Sequence, residues 1–300
     1  MRISELGADA TRALIPLALV LVCLLGISRP LAAQPWDPGH KLVGSFQVDR
    51  VIIPLPEGTW IVAGNHIWRN NLNTPSLYIL LVQMDEGMVR GAIRGRVSEE
   101  YNSNGYVASK DCERRDMHFV QKFANYIAKE QDCYWLDHWQ IPLDKPNKSD
   151  LQARKYVESQ GARFPAVMLA AGYRFADRGR IMEFNYLFNP ELAGFPPAMQ
   201  TTWAKSDWHR DSIETDLDRT MYVQTLIDWA AEAYPTVKAG FKGKKLEIPL
   251  PSIGVGMPAS LHYEKKSVED RLRELKSLQD KGLISDEEAS KKRKQILEDL

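Results

Sequence analysis

An α+β fold is predicted for this chain: an antiparallel sheet packed with several helices, followed by a C-terminal two-helix hairpin. Three observations predict it. Strand-like segments come first, between residues 51 and 97. Strands and helices then mix without the regular alternation that a doubly wound sheet requires. From Ser267 onward the composition changes abruptly to charged, leucine-spaced helical sequence. A hydrophobic content of 44%, with 9% aromatic, is enough to build a core in 300 residues.

The order of segments begins with a leader. Leu14 to Gly26 is an apolar run of 13 residues, and small residues follow it to Leu31-Ala32-Ala33. That run is too short for a spanning helix, which needs about 20 residues, and it has the length of a signal-peptide core. Residues 1–33 are therefore read as a signal peptide cleaved near Ala33, with an uncleaved membrane anchor as the competing reading. Val22 ahead of Cys23 is unlike a lipidation site, so Cys23 is read as one apolar residue of the run. The mature chain then holds two cysteines, Cys112 and Cys133, and an even count in an exported chain points to a bridge. Closing a loop of about 20 residues contributes on the order of 3 kcal/mol.

The body spans 34–258. Residues 34–42 read as a lead-in, and Val51–Val62 as two short strands around a Pro/Gly turn. Ser76–Met84 and Met88–Val97 form a hairpin over Asp85-Glu86-Gly87, with Gly91 and Gly95 marking a bulge or a close backbone approach. Phe119, Val120, Phe123, Tyr126 and Ile127 recur at three- and four-residue steps, which predicts an amphipathic helix over 115–130. The aromatic-rich Cys133–Ile141 reads as a strand. Ser149-Asp150-Leu151-Gln152 fits a helix-starting capping box that Gly161 closes. Residues 165–188 are the firmest hairpin, turning at Ala176–Gly179. There Met182, Phe184, Tyr186 and Phe188 alternate with Ile181, Glu183, Asn185 and Leu187, as in a half-buried strand. Ile213, Leu217, Met221, Leu226, Ile227 and Ala230 make a helical stripe that Pro235 ends or kinks. The broken segment 249–258 closes the body, and 259–266 is a linker.

In the tail, Val268, Leu272, Leu275 and Leu278 share one helical face, and Gly282 stops that helix. Ser285-Asp286-Glu287-Glu288 caps a second, which ends in Gln295-Ile296-Leu297. The run Leu275-x-x-Leu278-x-x-Lys281-Gly282-Leu283-Ile284-Ser285-x-Glu287-Glu288, a basic stretch and Ile296-Leu297 resemble the SHOCT family of short C-terminal helical hairpins on bacterial proteins. Ala289 departs from the phenylalanine usual there. The resemblance covers 267–300 and implies an interaction or oligomerisation role. More loosely, Leu55-Pro56-Glu57-Gly58-Thr59-Trp60 and the cysteine pair resemble uncharacterised secreted proteobacterial proteins, which implies no activity. A hairpin this small lies below the ~40 residues at which a domain holds itself together, so its apolar face must pack on something. Leu272, Leu275, Leu278, Ile296 and Leu297 are the expected contact face, meeting a protein partner, a second copy or the chain's own body.

Charge excludes some partners. Acidic and basic residues stand at 39 each, and without residues 1–33 the counts are 36 basic and 37 acidic. No basic excess suggests nucleic acid, and a membrane contact is expected only if the leader stays attached. Chemistry-bearing motifs are missing. His40, His66, His118, His138, His209 and His262 make no metal-ligand spacing. Asp137-His138 and Asp207-Trp208-His209 are the acid–imidazole neighbours. Adjacent strand residues face opposite sides, however, so Asp137 is not expected to orient His138, and Ser206-Asp207 is read as a helix start. Gly240–Lys245 lacks phosphate-loop spacing. Eight tryptophans invite a carbohydrate site, but Trp60, Trp135, Trp139 and Trp229 lie in segments read as core. No catalytic, cofactor or metal residues are assigned. The expected role is a binding or assembly component of the bacterial envelope; the alternative is an envelope hydrolase with a dispersed Asp/His site.

Overall fold

Eight antiparallel strands form one sheet in the order β1-β2-β3-β4-β8-β7-β6-β5. They are β1 (Lys41–Val48), β2 (Val51–Arg69), β3 (Pro75–Asp85), β4 (Met88–Ser98), β5 (Phe119–Asn125), β6 (Gln131–Gln140), β7 (Val167–Ala176) and β8 (Ile181–Phe188). A computed structural model describes residues 36–141, 146–199, 202–251 and 268–298. The signal-peptide reading and the 259–266 linker lie outside the described residues. The order has a simple logic: β1 to β4 meander from one edge, the chain crosses to the far edge, and β5 to β8 meander back until β8 pairs with β4.

Each face of the sheet carries a helix. α1 (Lys148–Ser159) lies on one, with Ala153 and Val157 buried against Ala63, Leu80, Val82, Met168 and Leu187. It comes so close to β2 that a Cβ on Gly64 would sit 2.1 Å from the Ser149 carbonyl oxygen. The other face takes α3 (Leu217–Phe241), preceded by the single turn α2 (Arg210–Ile213). Leu226, Trp229, Ala233 and Val237 pack there on Ile53, Tyr173, Tyr186 and Phe188. Burying this many large side chains at about 1.5–3 kcal/mol each provides most of the folding drive.

Several expectations change. Residues 51–62 are one continuous strand. Its Pro54–Thr59 segment bulges out of the β1 ladder, which runs Val43↔Thr59 and then Ser45↔Pro54. The buried Trp60, donating from Nε1 to the Pro56 carbonyl at 2.8 Å, keeps the two halves in one layer. Residues 119–125 are strand rather than helix: Phe119 and Phe123 stand four apart, which keeps them on the same side of a strand as well as of a helix, and both pack against Tyr134 with tilted rings. The helix α1 is capped by Asn147 with Asp150, two residues before the box read from sequence. β7 and β8 are buried on both faces, not one. Pro235 sits inside α3 without ending it, because Thr236, Val237, Gly240 and Phe241 beyond it are buried against the sheet. His209, not Ser206, caps the helix that follows it. Gly95 is a close approach, where a Cβ would meet the Phe184 ring at 2.4 Å.

The chain between β4 and β5 roofs the second meander on the α1 side. Gln131 donates from Nε2 to the Tyr106 and Val107 carbonyls, and Arg174 donates to Val107 as well. Cys112 on this roof and Cys133 on β6 stand at disulfide distance, Cα atoms 5.8 Å apart. Beyond the body, α4 (Val268–Asp280) and α5 (Asp286–Glu298) form the expected hairpin, with Gly282 at φ +68° and Ser285 paired reciprocally with Glu288. Leu275, Leu278 and Ile296 are buried together with Leu217 and Met221 of α3. Lys292 donates to Thr220 Oγ1 at 3.3 Å across this contact.

Candidate functional site

Where the roof and α1 leave the sheet uncovered, a cleft of about 310 Å³ opens. Its floor follows from strand register. Arg96 on β4, Glu183 on β8 and Arg174 on β7 are cross-strand neighbours on the α1 face. The next row is Arg94, Asn185, Gly172 and Trp135. Gly172 is required here, since a Cβ would lie 2.1 Å from the Trp135 ring that covers it. Glu183 is the hub of the first row, paired with both Arg174 and Arg96. Burial pushes its carboxyl pKa up, but the two guanidiniums outweigh burial and hold it below the ordinary value.

The walls are aromatic and charged. Arg94 is held by Asp150 of α1 through two hydrogen bonds of 2.7 and 2.8 Å and lies 4.4 Å above the Trp139 ring. Arg114 on the roof lies 4.7 Å above Trp203 and 3.1 Å from Asp137 Oδ2. Asp111, also on the roof, lines the cleft, and burial followed by nearby Glu183 raises its pKa. Trp135, read as core from the sequence, is core, 4% exposed in a cluster with Cys112, Met117 and Cys133, and its edge also lines the cleft, as does Trp139, half-buried against the α1-side core. Trp60 and Trp229 are core.

At one end of the cleft the sheet edge is notched. The β5 strand begins at Phe119 opposite Leu136, so Asp137 and His138 extend beyond its cover. The notch is filled by His118, just ahead of β5, and by residues 203–209. Asp137 lies close to the His138 ring but makes no hydrogen bond to it. Its Oδ1 accepts the His138 backbone N–H at 2.8 Å and lies 3.3 Å from His138 Nδ1. A short carboxylate bent along the strand comes near its neighbour's ring, which a strict alternation argument misses. His138 stacks on Trp203 with ring centroids 5.0 Å apart, and its Nε2 is 2.9 Å from the Trp203 carbonyl. Burial pushes the pKa of His118 down to about 4, so its ring is neutral at pH 7. Among the described residues His118, Asp137 and His138 are the grouping of metal-type donors, one atom each, all within 4.8 Å of one another.

No family model, curated protein or solved structure matches the chain. The hairpin's likeness to SHOCT hairpins therefore rests on its own residues, and the site on its geometry. Of the five hairpin residues predicted to form a contact face, Leu275, Leu278 and Ile296 meet α3, Leu272 packs beside them, and Leu297 is 45% exposed. No residue spacing signals the notch, because His118 is brought to Asp137 and His138 by the pairing of β5 with β6. The density of Trp, Asp and His in Cys133–Ile141 was the available clue.

Among the described residues no helix is long and apolar enough to cross a membrane.

Proposed function

We propose that the chain is an exported binding component of the bacterial envelope, and that its body holds a small polyhydroxylated ligand of the carbohydrate class in the cleft. One observation carries the reading: Trp135, Trp139 and Trp203 share that cleft with Arg94, Asp111, Asn185 and Gln140. The indoles supply apolar wall to the cleft, with Arg94 and Arg114 seated over the Trp139 and Trp203 rings, and the planar amide, carboxylate and guanidinium groups bond the ligand's hydroxyls. Export is supported by the leader-like N-terminus and by the cysteine pair at bridging distance. The hairpin's assembly role takes a narrower form, because α3 already covers most of its leucine face and leaves Leu283 and Leu297 for a protein contact.

A hydrolase is the second reading, and one observation favours it. Asp111, its pKa raised by burial, shares the cleft with Asp137, whose carboxylate is ion-paired to Arg114. Carboxyls whose environments differ in this way are the arrangement acid–base chemistry uses. Titrating the folded chain with a panel of mono- and disaccharides, followed by tryptophan fluorescence, tests the binding reading. Saturable binding that W139A or W203A weakens at least about tenfold, roughly 1.4 kcal/mol, supports it. A panel without any saturable response overturns it, and release of a shorter sugar selects the hydrolase.

A further inference from the structure

We propose that His118, Asp137 and His138 bind a divalent transition-metal ion of the zinc type at the notched end of the cleft. One hydrogen bond sets the tautomer of His138. The Trp203 carbonyl can only accept, so His138 Nε2, 2.9 Å away, carries the proton. In a neutral ring Nδ1 is then a bare lone pair. That lone pair is buried without a hydrogen-bond partner, on a residue 3% exposed, and it faces the Asp137 carboxylate oxygen at 3.3 Å. Two acceptors opposed in a buried setting repel each other and call for a cation between them.

A proton on His138 Nδ1 would meet that need for the pair alone. It would leave His118 unexplained. His118 Nε2 is also buried without a partner, and His118 offers one of the three donor atoms that lie within 4.8 Å of one another. A metal ion uses all three. The surroundings have the form expected around ligating imidazoles, whose second nitrogen is anchored by a backbone group. For His138 that anchor is the Trp203 carbonyl. Asp137 is fixed from two sides, by the His138 N–H and by Arg114.

Ligand type sets the metal. Two imidazole nitrogens and one carboxylate suit zinc, cobalt, nickel or copper rather than the all-oxygen shells of calcium and magnesium. Donor atoms around a tetrahedral zinc with bonds of about 2.0–2.1 Å lie roughly 3.3 Å apart, so the ion would draw the three side chains slightly together. Three protein ligands leave one position, as in catalytic rather than structural zinc sites. Asp137 and His138 both line the cleft, so that position is available to water or to a cleft ligand. Metal binding at the notch does not depend on the cleft taking a sugar.

The test uses the folded chain after removal of metals with a chelator. Calorimetric titration with Zn²⁺ alone, and visible absorption with Co²⁺ alone, should each report one ion per chain. Losing a first donor should cost more than the roughly 10–100-fold that follows loss of an outer partner. H118A and D137N should both weaken binding by at least that much. If H138A or either variant loses its fold by circular dichroism, the remaining variant and the wild-type titration still decide. The absence of a saturable site in the wild type overturns the proposal, as does affinity unchanged in a folded H118A.

Discussion

At the residue scale the controlling feature is a charged ladder across the sheet, Arg96–Glu183–Arg174, extended by Gln131 to the roof. Removing the central carboxylate leaves two arginines facing each other. E183Q should lower stability at pH 7 by about 3 kcal/mol, the cost typical of breaking a buried pair, as read by urea denaturation. The pH dependence has a definite sign. A carboxyl held below its unfolded value of 4.5 contributes stability that is fully present above that value and is lost as pH falls through the folded value. The wild type should therefore lose stability below about pH 4.5, and E183Q should show a shallower acid limb. Equal slopes for the two proteins would contradict the ladder. The alternation of Glu183 with Phe184 was legible in the sequence. Its partners were not, because cross-strand pairing joins residues 87 and 9 positions away. Asp137 and His138 were visible as neighbours and set aside, since strand alternation says nothing of a carboxylate that turns along its own backbone.

At the scale of elements, local pattern and tertiary context disagree in instructive places. β5 carries a helix-like spacing, but a bulge between Lys122 and Ala124 and pairing with β6 make it an edge strand. Pro235 is a helix breaker by propensity, yet the buried residues beyond it carry α3 on to Phe241. The hairpins β3–β4 and β7–β8 were legible because turn chemistry and period agree there. In the tail, caps and the stop glycine were legible, while the partner of its leucine face was not: α3 is remote in sequence. Leu275 and Leu278 are 4% and 7% exposed against Leu217 and Met221. Large-to-small replacement of a buried leucine costs about 2–5 kcal/mol. The double variant L275S/L278S should therefore melt several degrees lower by calorimetry, with its mass by light scattering unchanged. An unaltered transition with a smaller mass would instead place the face at an interface between chains.

For the whole molecule, two four-stranded meanders meet at β4–β8, and the cleft lies on the second of them, between α1 and the roof whose Cys112 stands at bridging distance from Cys133. The α+β class was readable from the order of segments; the sheet order was not, because the pairing of β8 with β4 spans the whole β5–β7 insertion. Thiol labelling of the denatured, unreduced chain should find neither Cys112 nor Cys133 reactive. Reduction should lower stability by about 3 kcal/mol and weaken cleft binding by loosening the roof that carries Asp111 and Arg114. Two labelled thiols before reduction would contradict the bridge. The central claim, that the tryptophan-walled cleft is the binding site, is tested most directly by the indole N–H signals of the chain's eight tryptophans in a proton–nitrogen correlation spectrum during a saccharide titration. Trp135, Trp139 and Trp203 should shift together and saturate while Trp60 and Trp229 stay fixed. Saturable shifts confined to other tryptophans would contradict it.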